Sequence, residues 1–471
     1  MQVLRHWSVR HAAGLKRFYD AFARTLPYFD RATRLIGRAR SERLLTPIER
    51  VAKGAMFDCQ MCGQCVLSST GMACPTNCAK RMRNGPCGGV RADGTCEVDH
   101  TMRCVWVEAY DGRKKIAHTD AAEAVMLAPI DHRFEGRSSW MRVIAGDAPE
   151  TVVTRESVSP REREAHSFEQ ACKSGRLVVT VEVAPPDSAD SQTLVERAKR
   201  FKDLADAVNI TDGPGGNCHM SSAAAATMLA VNGLTPICQM ACRDRNRIAI
   251  QGDLLGMAAL GVRNVLCLTG DDVSQGDQPQ AKPVFDLDAV SLLRIASDMV
   301  EHGTFASGRK LDVAPNLLLG ATANPFMPPF ADRVANLELK INAGARFIQT
   351  QFCFDPDLLK QFMREVRERE LHKRAIIIIG VGTLSSAKSL RWMAHHVPGV
   401  HIPERVIARI AGAADQRAEA KRILIETIHA VTEIEGVGGV HLMSHKHERL
   451  LAETIVEAGL RRPNGTAPVT A

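Results

Sequence analysis

The chain has 471 residues, of which 45% are hydrophobic and 24% charged, a composition that excludes disorder over most of its length and allows two or three domains. Its longest aliphatic run, residues 375–379, is far shorter than the roughly 20 residues that cross a bilayer, so no transmembrane segment is expected. With only three Tyr and four Trp, the composition disfavours a base-stacking nucleic-acid reader, and no nucleic-acid partner is expected.

The first 53 residues form a basic segment. Their 12 Lys or Arg stand against four acidic residues, a balance of +8 in a chain whose net charge is +7. Trp7, Leu15, Phe18, Phe22 and Leu26 recur at near-helical spacing, which predicts one or two amphipathic helices. We expect these helices to pack on the rest of the protein, with docking to a partner or an anionic surface as the alternative. The segment has no apolar core like that of a secretory signal, so a cytoplasmic location is expected.

Eight of the 14 cysteines fall within 46 residues, in a segment that we interpret as a metal-binding domain over residues 54–120. These candidate metal ligands are Cys59, Cys62, Cys65, Cys74, Cys78, Cys87, Cys96 and Cys104. The initial Cys-x2-Cys-x2-Cys spacing places three thiolates in one tight turn, which is useful mainly to a metal. It favours iron–sulfur ligation, and eight ligands could serve two four-iron clusters. Two zinc sites are the alternative, and a disulfide framework is disfavoured because it needs an oxidising compartment.

After a linker over residues 121–171, short β-rich runs alternate with helical stretches over residues 172–462. The eight predicted strands are Leu177–Ala184, Ala207–Thr211, Thr235–Cys242, Asn264–Gly270, Asn316–Ala323, Phe347–Phe354, Ala375–Val381 and Gly439–Ser444. This alternation predicts an α/β fold, an eight-stranded β/α (TIM) barrel. A doubly wound sheet is disfavoured because no GxGxxG motif follows the first strand. Six further cysteines in this part of the chain are expected to be small core residues, and residues 463–471 a disordered tail.

Polar side chains recur at the C-terminal ends of the predicted strands, where such barrels place their chemistry. They are Glu182, Thr211, Asp212, Gln239, Asp271, Asp272, Asn324, Gln351 and Ser444. Glu182 lies between two valines, and an inward-facing carboxylate in such a strand is suited to donating a proton. The alternative is a carboxylate paired with Lys or Arg inside the barrel. The glycine-rich loop 213–216 fits either a phosphate site or a plain glycine-rich βα loop. The basic loop 243–247 fits either an anion site or an exposed ion-pair network.

Five segments in order along the barrel carry a family resemblance. They are Val181–Pro186 (VEVAPP), Leu268–Asp271 (LTGD), Asn336–Ala345 (NLELKINAGA), Thr350–Asp355 (TQFCFD) and Val400–Pro403 (VHIP). Together they resemble methylenetetrahydrofolate reductase over residues 172–462. The cysteine region, with CGQC, TGMACP and RNGPCGG, resembles the cysteine-rich partner domain found beside or fused to this reductase in some bacteria, notably acetogens. Two independent segments therefore indicate one family.

The resemblance implies a flavin over the barrel mouth and the interconversion of methylenetetrahydrofolate and methyltetrahydrofolate. Glu182 matches the family's general acid, which helps to open the imidazolidine ring of the substrate to the iminium that takes hydride from the reduced flavin. Asp271 matches a carboxylate that supports the pterin and the flavin, and Gln351 matches a glutamine that contacts folate and the reductant. The further cofactor-binding positions that the resemblance implies are Thr211, Gln239, Gly270, Ala323, Asn324, Asn336 and Lys340.

The chain also departs from well-known family members. Gln239 stands where a histidine is expected and Asn324 where a tyrosine is expected, while Thr269 and Leu339 each replace an arginine. The segment Ser444–His447 replaces the arginine that meets folate. With positive charge lost near the flavin phosphates, the flavin is FAD or, as the alternative, FMN.

The electron donor and the function class stay open at this point. The donor is either NADH or NADPH, or a ferredoxin-like carrier that feeds iron–sulfur clusters, and the basic segment would suit docking of an acidic carrier. Two other functions remain: a non-catalytic folate- or corrinoid-protein-binding scaffold in methyl transfer, and a zinc-dependent methyltransferase on a similar barrel. Assembly as a homo-oligomer is left open.

Overall fold

The structure, a computed structural model, describes residues 2–117, 125–149, 151–153, 163–382, 386–444 and 447–462, with the backbone alone for residues 2 and 3. The expected tail at 463–471, the pair His445 and Lys446, and parts of the expected linker lie outside the described residues. The chain divides into two compact units. The first comprises Met1–Pro86, Asp93–Ser157 and Asp286–Asp288, and the second comprises Cys87–Ala92, Val158–Phe285 and Ala289–Ala471.

The described part of the first unit is mostly helical. Its helices are α1 (Gln2–Arg10), α2 (Ala12–Thr25), α3 (Asp30–Ile36), α4 (Arg38–Phe57), α5 (Val105–Ala117) and α6 (Ser139–Ala145). The N-terminal segment is therefore helical as predicted, but it forms four helices and not one or two. The breaks have local causes: Pro27 lies in a 3-10 turn after α2, and Gly37 takes a φ of +93° between α3 and α4.

Two basic side chains of the N-terminal segment form buried ion pairs inside the first unit. Arg5 is buried in an ion pair with Glu108, with 3.0 Å between Nε and Oε2. Lys53 is buried beside Glu49, with 2.6 Å between Nζ and Oε1. The hydroxyls of Ser138 and Ser139 donate to the two oxygens of Glu49, so this buried carboxylate has the hydrogen bonds that an interior charge requires.

The second unit is a closed barrel of eight parallel strands in sequence order, with β8 pairing with β1, which confirms the predicted fold. The strands are β1 (Val178–Val183), β2 (Ala207–Ile210), β3 (Pro236–Ala241), β4 (Asn264–Leu268), β5 (Leu318–Ala323), β6 (Phe347–Phe352), β7 (Ile376–Gly382) and β8 (Val437–Met443). The helices are α7 (Ser167–Lys173), α8 (Ser191–Lys199), α9 (Ser222–Val231), α10 (Arg247–Ala259), α11 (Ala289–Glu301), α12 (Phe330–Asn342), α13 (Pro356–Glu368), α14 (Ala387–His396), α15 (Glu404–Ala411), α16 (Gln416–Thr432) and α17 (Glu448–Glu457). Of the helices in the described residues, none combines the length and the apolar character needed to span a membrane.

The barrel interior begins with an apolar layer at its N-terminal end. Side chains from seven of the eight strands meet there, including Val178, Ile237, Leu266 and Phe347. Phe168 of α7 packs on this layer and contacts the Phe347 ring edge to face at 5.4 Å. The layer closes one end of the barrel, so polar side chains in the interior lie toward the other end, where barrels of this fold carry their sites.

Candidate functional site

Glu182 lies near the C-terminal end of β1, and its carboxylate meets neutral or weakly basic groups. Gln239 of β3 donates from Nε2 to Glu182 Oε2 over 3.4 Å, and His441 Nε2 of β8 is 3.8 Å from the same oxygen. About a quarter of the Glu182 side chain remains exposed (24%). No Lys or Arg pairs with it among the described residues, so the alternative of an internal salt bridge to such a residue finds no support. An accessible carboxyl group held this way can exchange a proton with a ligand.

Directly beneath Glu182 lies a buried polar layer. Thr180, two residues earlier on β1, has its hydroxyl 2.9 Å from His441 Nδ1 and accepts a 3.1 Å hydrogen bond from Gln349 Nε2. Asn209 and Gln349 exchange amide hydrogen bonds of 2.6 and 3.1 Å across the barrel. Because each of these side chains finds partners inside the barrel, the layer fixes the rotamer of His441, which in turn contacts Glu182.

Two loops at the barrel mouth are packed against each other. The loop after β2 places the Gly215 amide where it donates to Asp271 Oδ2 of the loop after β4, over 2.7 Å. A Cβ added at Gly276 would lie 2.1 Å from the Gly216 carbonyl oxygen, so only glycine permits this approach. The Asp271 carboxylate thus uses one of the amides that the glycine-rich loop could offer to a phosphate. Gly270 beside it has a φ of +96° and allows the chain to turn after β4.

The basic loop after β3 behaves as an ion-pair network. Arg243 pairs with Asp244 and donates to the Gly213 carbonyl oxygen over 2.9 Å. Arg245 pairs with Asp212 at 2.7 Å and with Asp253 at 3.1 Å. These contacts favour an ion-pair network over an anion site for this loop, because Arg243 and Arg245 are engaged with protein acceptors.

Thr211, the residue directly after β2, carries a hydroxyl whose hydrogen bonding indicates whether the barrel mouth fits a cofactor. The side chain is buried, and its Oγ1 has no hydrogen-bond partner among the described residues. Ser444 after β8 is half-buried, and its Oγ is likewise a buried atom with no hydrogen-bond partner in the part of the chain that the structure describes. A buried hydroxyl without a partner costs about 1–3 kcal/mol, so two of them at the barrel mouth fit a site that a polar ligand completes.

Gln351 lies beside an irregularity in β6. The pairing of β6 with β7 shifts register between Gln349 and Phe352, and the Thr350 hydroxyl accepts from the Gly380 amide across this bulge at 2.9 Å. The Gln351 carboxamide oxygen accepts from the Phe352 amide at 2.9 Å, which leaves its NH2 group for another acceptor. Bulges next to sites redirect side chains in this manner.

The remaining predicted cofactor positions cluster around β5 and the helix after it. Lys340 of α12 is buried and donates from Nζ to the Thr322 carbonyl oxygen at 2.7 Å, next to Ala323 at the end of β5. Asn336 is buried one turn earlier on the same helix. Asn324 donates to the carbonyl oxygens of Gly88 and Gly399 at 2.6 and 2.8 Å, so its carboxamide holds backbone segments together. Of the predicted site residues, Glu182 and Gln239 are therefore in contact, while Thr211 and Asp271 follow β2 and β4 at the same end of the barrel. Lys340 and Asn324 instead donate to backbone carbonyl oxygens.

Half of the predicted metal ligands share one pocket of the first unit. This pocket is lined by Cys59, Cys62, Cys65 and Cys74, together with Glu49, Lys53 and Arg83. A contact between Cys59 and Cys74 lowers the pKa of Cys59 and raises that of Cys74, while burial raises the pKa of Cys62. The Tyr19 hydroxyl donates to Cys65 Sγ at 3.1 Å. The four cysteine sulfurs that line the pocket are donors of the kind that binds a metal as thiolates. Within the described ranges, however, no group of three or more His, Cys, Asp or Glu is arranged as an ion site.

The other four predicted ligands are distributed differently. Cys96 and Cys104 lie on one loop, where the Cys96 amide donates to the Met102 carbonyl oxygen and the Cys104 amide to that of Gly94. Cys78 follows a short 3-10 turn. Cys87 belongs to the second unit, where its carbonyl oxygen accepts from Arg333. The assignment of all eight as ligands stays a prediction.

Most of the six other cysteines are core residues as expected. Cys238, Cys242, Cys267 and Cys353 are buried, and burial raises the pKa of Cys238 and Cys353 to about 12. Cys218 differs because it is exposed in the loop before α9. The buried thiols are poor metal ligands or nucleophiles, since both roles need the thiolate.

With this geometry in place, comparison with protein families decides the relationship. A family model described as methylenetetrahydrofolate reductase matches residues 167–459, more than half of the chain. The chain belongs to the methylenetetrahydrofolate reductase family. A second family model, described as methylene-tetrahydrofolate reductase C terminal, matches residues 39–133, which include all eight clustered cysteines. Both parts of the resemblance in the sequence are therefore confirmed.

Individual relatives are distant. A probable methylenetetrahydrofolate reductase (NADPH) of Caenorhabditis elegans is 24% identical over 250 residues, 52% of this chain and 35% of the relative. Methylenetetrahydrofolate reductase 2 of Schizosaccharomyces pombe is 25% identical over 267 residues, 54% of this chain and 40% of the relative. A 5,10-methylenetetrahydrofolate reductase of Pectobacterium carotovorum is 27% identical over 208 residues, 43% of this chain and 63% of the relative. The chain thus spans well under half of the length of the first two relatives.

A solved structure of a Clostridium thermocellum protein, described as binding two copies of 5-methyl-5,6,7,8-tetrahydrofolic acid, covers 62% of this chain and 98% of its own. It aligns with a TM-score of 0.44 at 15% identity, which is too low to support an inference about this chain.

The polar layer of Thr180, Asn209, Gln349 and His441 was not anticipated from the sequence. Each residue occupies an ordinary strand position, and the partners come from β1, β2, β6 and β8. The one available signal is polar residues at alternate positions of otherwise apolar strands, as in Thr180 and Glu182 of β1.

Proposed function

We propose that this chain is a flavin-dependent oxidoreductase that interconverts methylenetetrahydrofolate and 5-methyltetrahydrofolate. Family membership gives the reaction class, and the observation that carries the proposal is the Glu182 carboxylate at the barrel mouth, contacted by Gln239 and His441 and by no basic side chain among the described residues. An acid for the substrate must be reachable and not neutralised by a fixed cation, and Glu182 meets both conditions.

Glu182 acts as the general acid. Its proton goes to a nitrogen of the imidazolidine ring, whose opening produces the electrophilic iminium. Gln239 orients one carboxyl oxygen through its amide, and His441 Nε2 lies 3.8 Å from the same oxygen. His441 is a positioning residue, because its Nδ1 is engaged with the Thr180 hydroxyl and its ring is buried.

The barrel mouth fits a flavin. When bound, a flavin would supply the reducing equivalents for the methylene carbon. Thr211 offers its unpaired hydroxyl, Gln239 and Asp271 offer polar groups, and Gly270 permits close approach. The further positions proposed for holding the cofactor are Ala323, Asn324, Asn336 and Lys340. We propose FAD, with FMN as the alternative, and we propose that Gln351 and Asp271 contact the folate.

The cysteine-rich part is proposed to hold iron–sulfur clusters, with Cys59, Cys62, Cys65 and Cys74 as one four-thiolate set. Cys78, Cys87, Cys96 and Cys104 remain proposed metal ligands, and eight thiolates in all would suffice for two four-iron clusters. Clusters would allow a ferredoxin-like donor, whereas zinc in the same thiolates would favour NADH or NADPH. Iron, zinc and acid-labile sulfide measured on anaerobically purified protein distinguish these cases: about eight irons with matching sulfide support two clusters, and zinc without sulfide rejects them.

The reaction is tested with the variant Glu182→Gln, which keeps the size of the side chain and its contacts but removes the acid. We expect methylenetetrahydrofolate-dependent turnover to fall by about 10²–10⁴-fold with flavin still bound. The matched control is Glu196→Gln, the same change at an exposed position of α8, which should leave turnover unchanged. Equal turnover of Glu182→Gln and wild type would reject Glu182 as the acid, and absence of both flavin and turnover in the wild type would reject the function.

A further inference from the structure

Helix α4 exposes an apolar stripe. Leu44, Ile48 and Val51 are 63%, 59% and 73% exposed, and their spacing of four and three residues places them on one side of the helix. The opposite side is buried and includes the charged pair Glu49 and Lys53. A surface helix ordinarily buries its apolar stripe, so three neighbouring aliphatic side chains left in water mark an interaction surface.

Arginines flank this stripe. Arg40, Arg43 and Arg50 are exposed along one edge of the stripe, and no ion pair is recorded for them in the described part of the chain. Arg40 adjoins Leu44, whereas Arg43 and Arg50 lie about a third of a turn further round the helix, where they line a groove with Glu42 and Arg137. By contrast, Arg34 of α3 and Arg38 at the start of α4 both pair with Asp30. The docking face of α4 is hereafter defined as Arg40, Arg43, Leu44, Ile48, Arg50 and Val51. Its apolar stripe and the cationic edge along one side of it complement an acidic protein surface that has an apolar patch.

The buried side of the same helix lines the cysteine pocket. Glu49 and Lys53 contribute to that pocket together with Cys59, Cys62 and Cys65. A helix with its side chains is about 10–12 Å across, so a protein seated on the docking face would lie about one helix diameter from the thiols. The docking face is therefore placed where a partner could exchange electrons with a metal in the pocket.

We propose that the docking face of α4 binds a small acidic electron-carrier protein. This inference rests on the proposed function and names the donor for it. Two reduced carriers each give up one electron, and these two electrons with two protons convert methylenetetrahydrofolate to 5-methyltetrahydrofolate. A second copy of this chain is a poorer occupant, because a symmetric contact would place the unpaired arginines of one copy against those of the other.

The probe for the test is a purified, strongly acidic bacterial ferredoxin with two four-iron clusters. We measure its dissociation constant for the full chain at several salt concentrations, for wild type and for Arg43→Glu/Arg50→Glu. Reversal of two charges should weaken binding at low salt at least about tenfold and flatten its salt dependence. Ile48→Ser, which keeps the charge, should also weaken binding. The matched control is Arg364→Glu/Arg391→Glu, an equal charge change at exposed positions of α13 and α14, and should bind like wild type.

Turnover with reduced methyl viologen and methylenetetrahydrofolate separates the two proposals. The wild type and the docking-face variants should show equal viologen-driven turnover, since the changed side chains lie outside the barrel unit. If the wild type turns over with viologen but does not bind ferredoxin, the docking inference alone is overturned. The same conclusion follows if charge reversal leaves ferredoxin binding unchanged. Binding of the wild type to anionic phosphatidylglycerol vesicles in place of ferredoxin overturns it as well. Absence of viologen-driven turnover in the wild type overturns the proposed function.

Discussion

The reciprocal hydrogen bonds between Asn209 and Gln349 inside the barrel lead to a quantitative prediction about the free energy of unfolding. Both side chains are buried, at 0% and 2% exposure, and the two hydrogen bonds between them are the ones recorded for the Asn209 carboxamide. Gln349→Met would leave both Asn209 groups without partners, a cost of about 2–6 kcal/mol at about 1–3 kcal/mol each. Asn209→Leu would leave only Gln349 Oε1 without its partner, because Nε2 still donates to Thr180, and should cost about 1–3 kcal/mol.

The double variant Asn209→Leu/Gln349→Met removes both members of the pair at nearly constant volume. We expect it to lie within about 1 kcal/mol of the wild type in free energy of unfolding, which gives a coupling of at least about 2 kcal/mol between the two sites. Urea unfolding followed by circular dichroism measures the cycle, and hydrogen exchange of the β2 and β6 peptides assigns the effect to the barrel. Single variants within about 0.5 kcal/mol of wild type, or a double variant equal to the sum of the singles, would refute the buried pair.

Three further predictions follow from single contacts. Gly276→Ala brings a Cβ to 2.1 Å from the Gly216 carbonyl oxygen and should weaken flavin affinity measured by equilibrium dialysis, whereas Gly252→Ala, with open space around it on α10, should not. His441→Asn retains a polar atom near Thr180 but loses the contact with Glu182. Turnover should therefore fall about tenfold and its pH–rate profile should change. An unchanged profile would reject the positioning role of His441. Cys62→Ser should reduce bound metal measured by mass spectrometry, with Cys218→Ser as the exposed control, and equal metal content in both would argue against the pocket as a ligand set.

The strands were predictable because each is a short apolar, β-branched run between polar turns. The predicted range Leu177–Ala184 contains β1 at Val178–Val183, and the predicted Phe347–Phe354 contains β6 at Phe347–Phe352. The last strand was less accurate: it begins at Val437 and not at Gly439, because the pair Gly438 and Gly439 resembles a turn in sequence but packs inside the barrel wall.

The site was predictable only in part. Glu182 and Gln239 lie in the C-terminal halves of β1 and β3, and the parallel strands of a barrel have their C-terminal ends at one rim, so the proximity of these two residues follows from the fold. His441 was not found because its partners Thr180 and Glu182 are on β1, and the closure of the barrel between β8 and β1 brings them together. The engagement of Asn324 with Gly88 and Gly399 depends on loops whose course no local sequence pattern specifies.

The most direct test of the central claim is a single-turnover experiment. Purified protein with its flavin reduced photochemically is mixed with methylenetetrahydrofolate without oxygen, and flavin absorbance and 5-methyltetrahydrofolate are followed on the same sample. We predict that wild-type flavin is reoxidised with one equivalent of product, and that Glu182→Gln does so about 10²–10⁴-fold more slowly. Reduced flavin that persists with methylenetetrahydrofolate and yields no product would contradict the account.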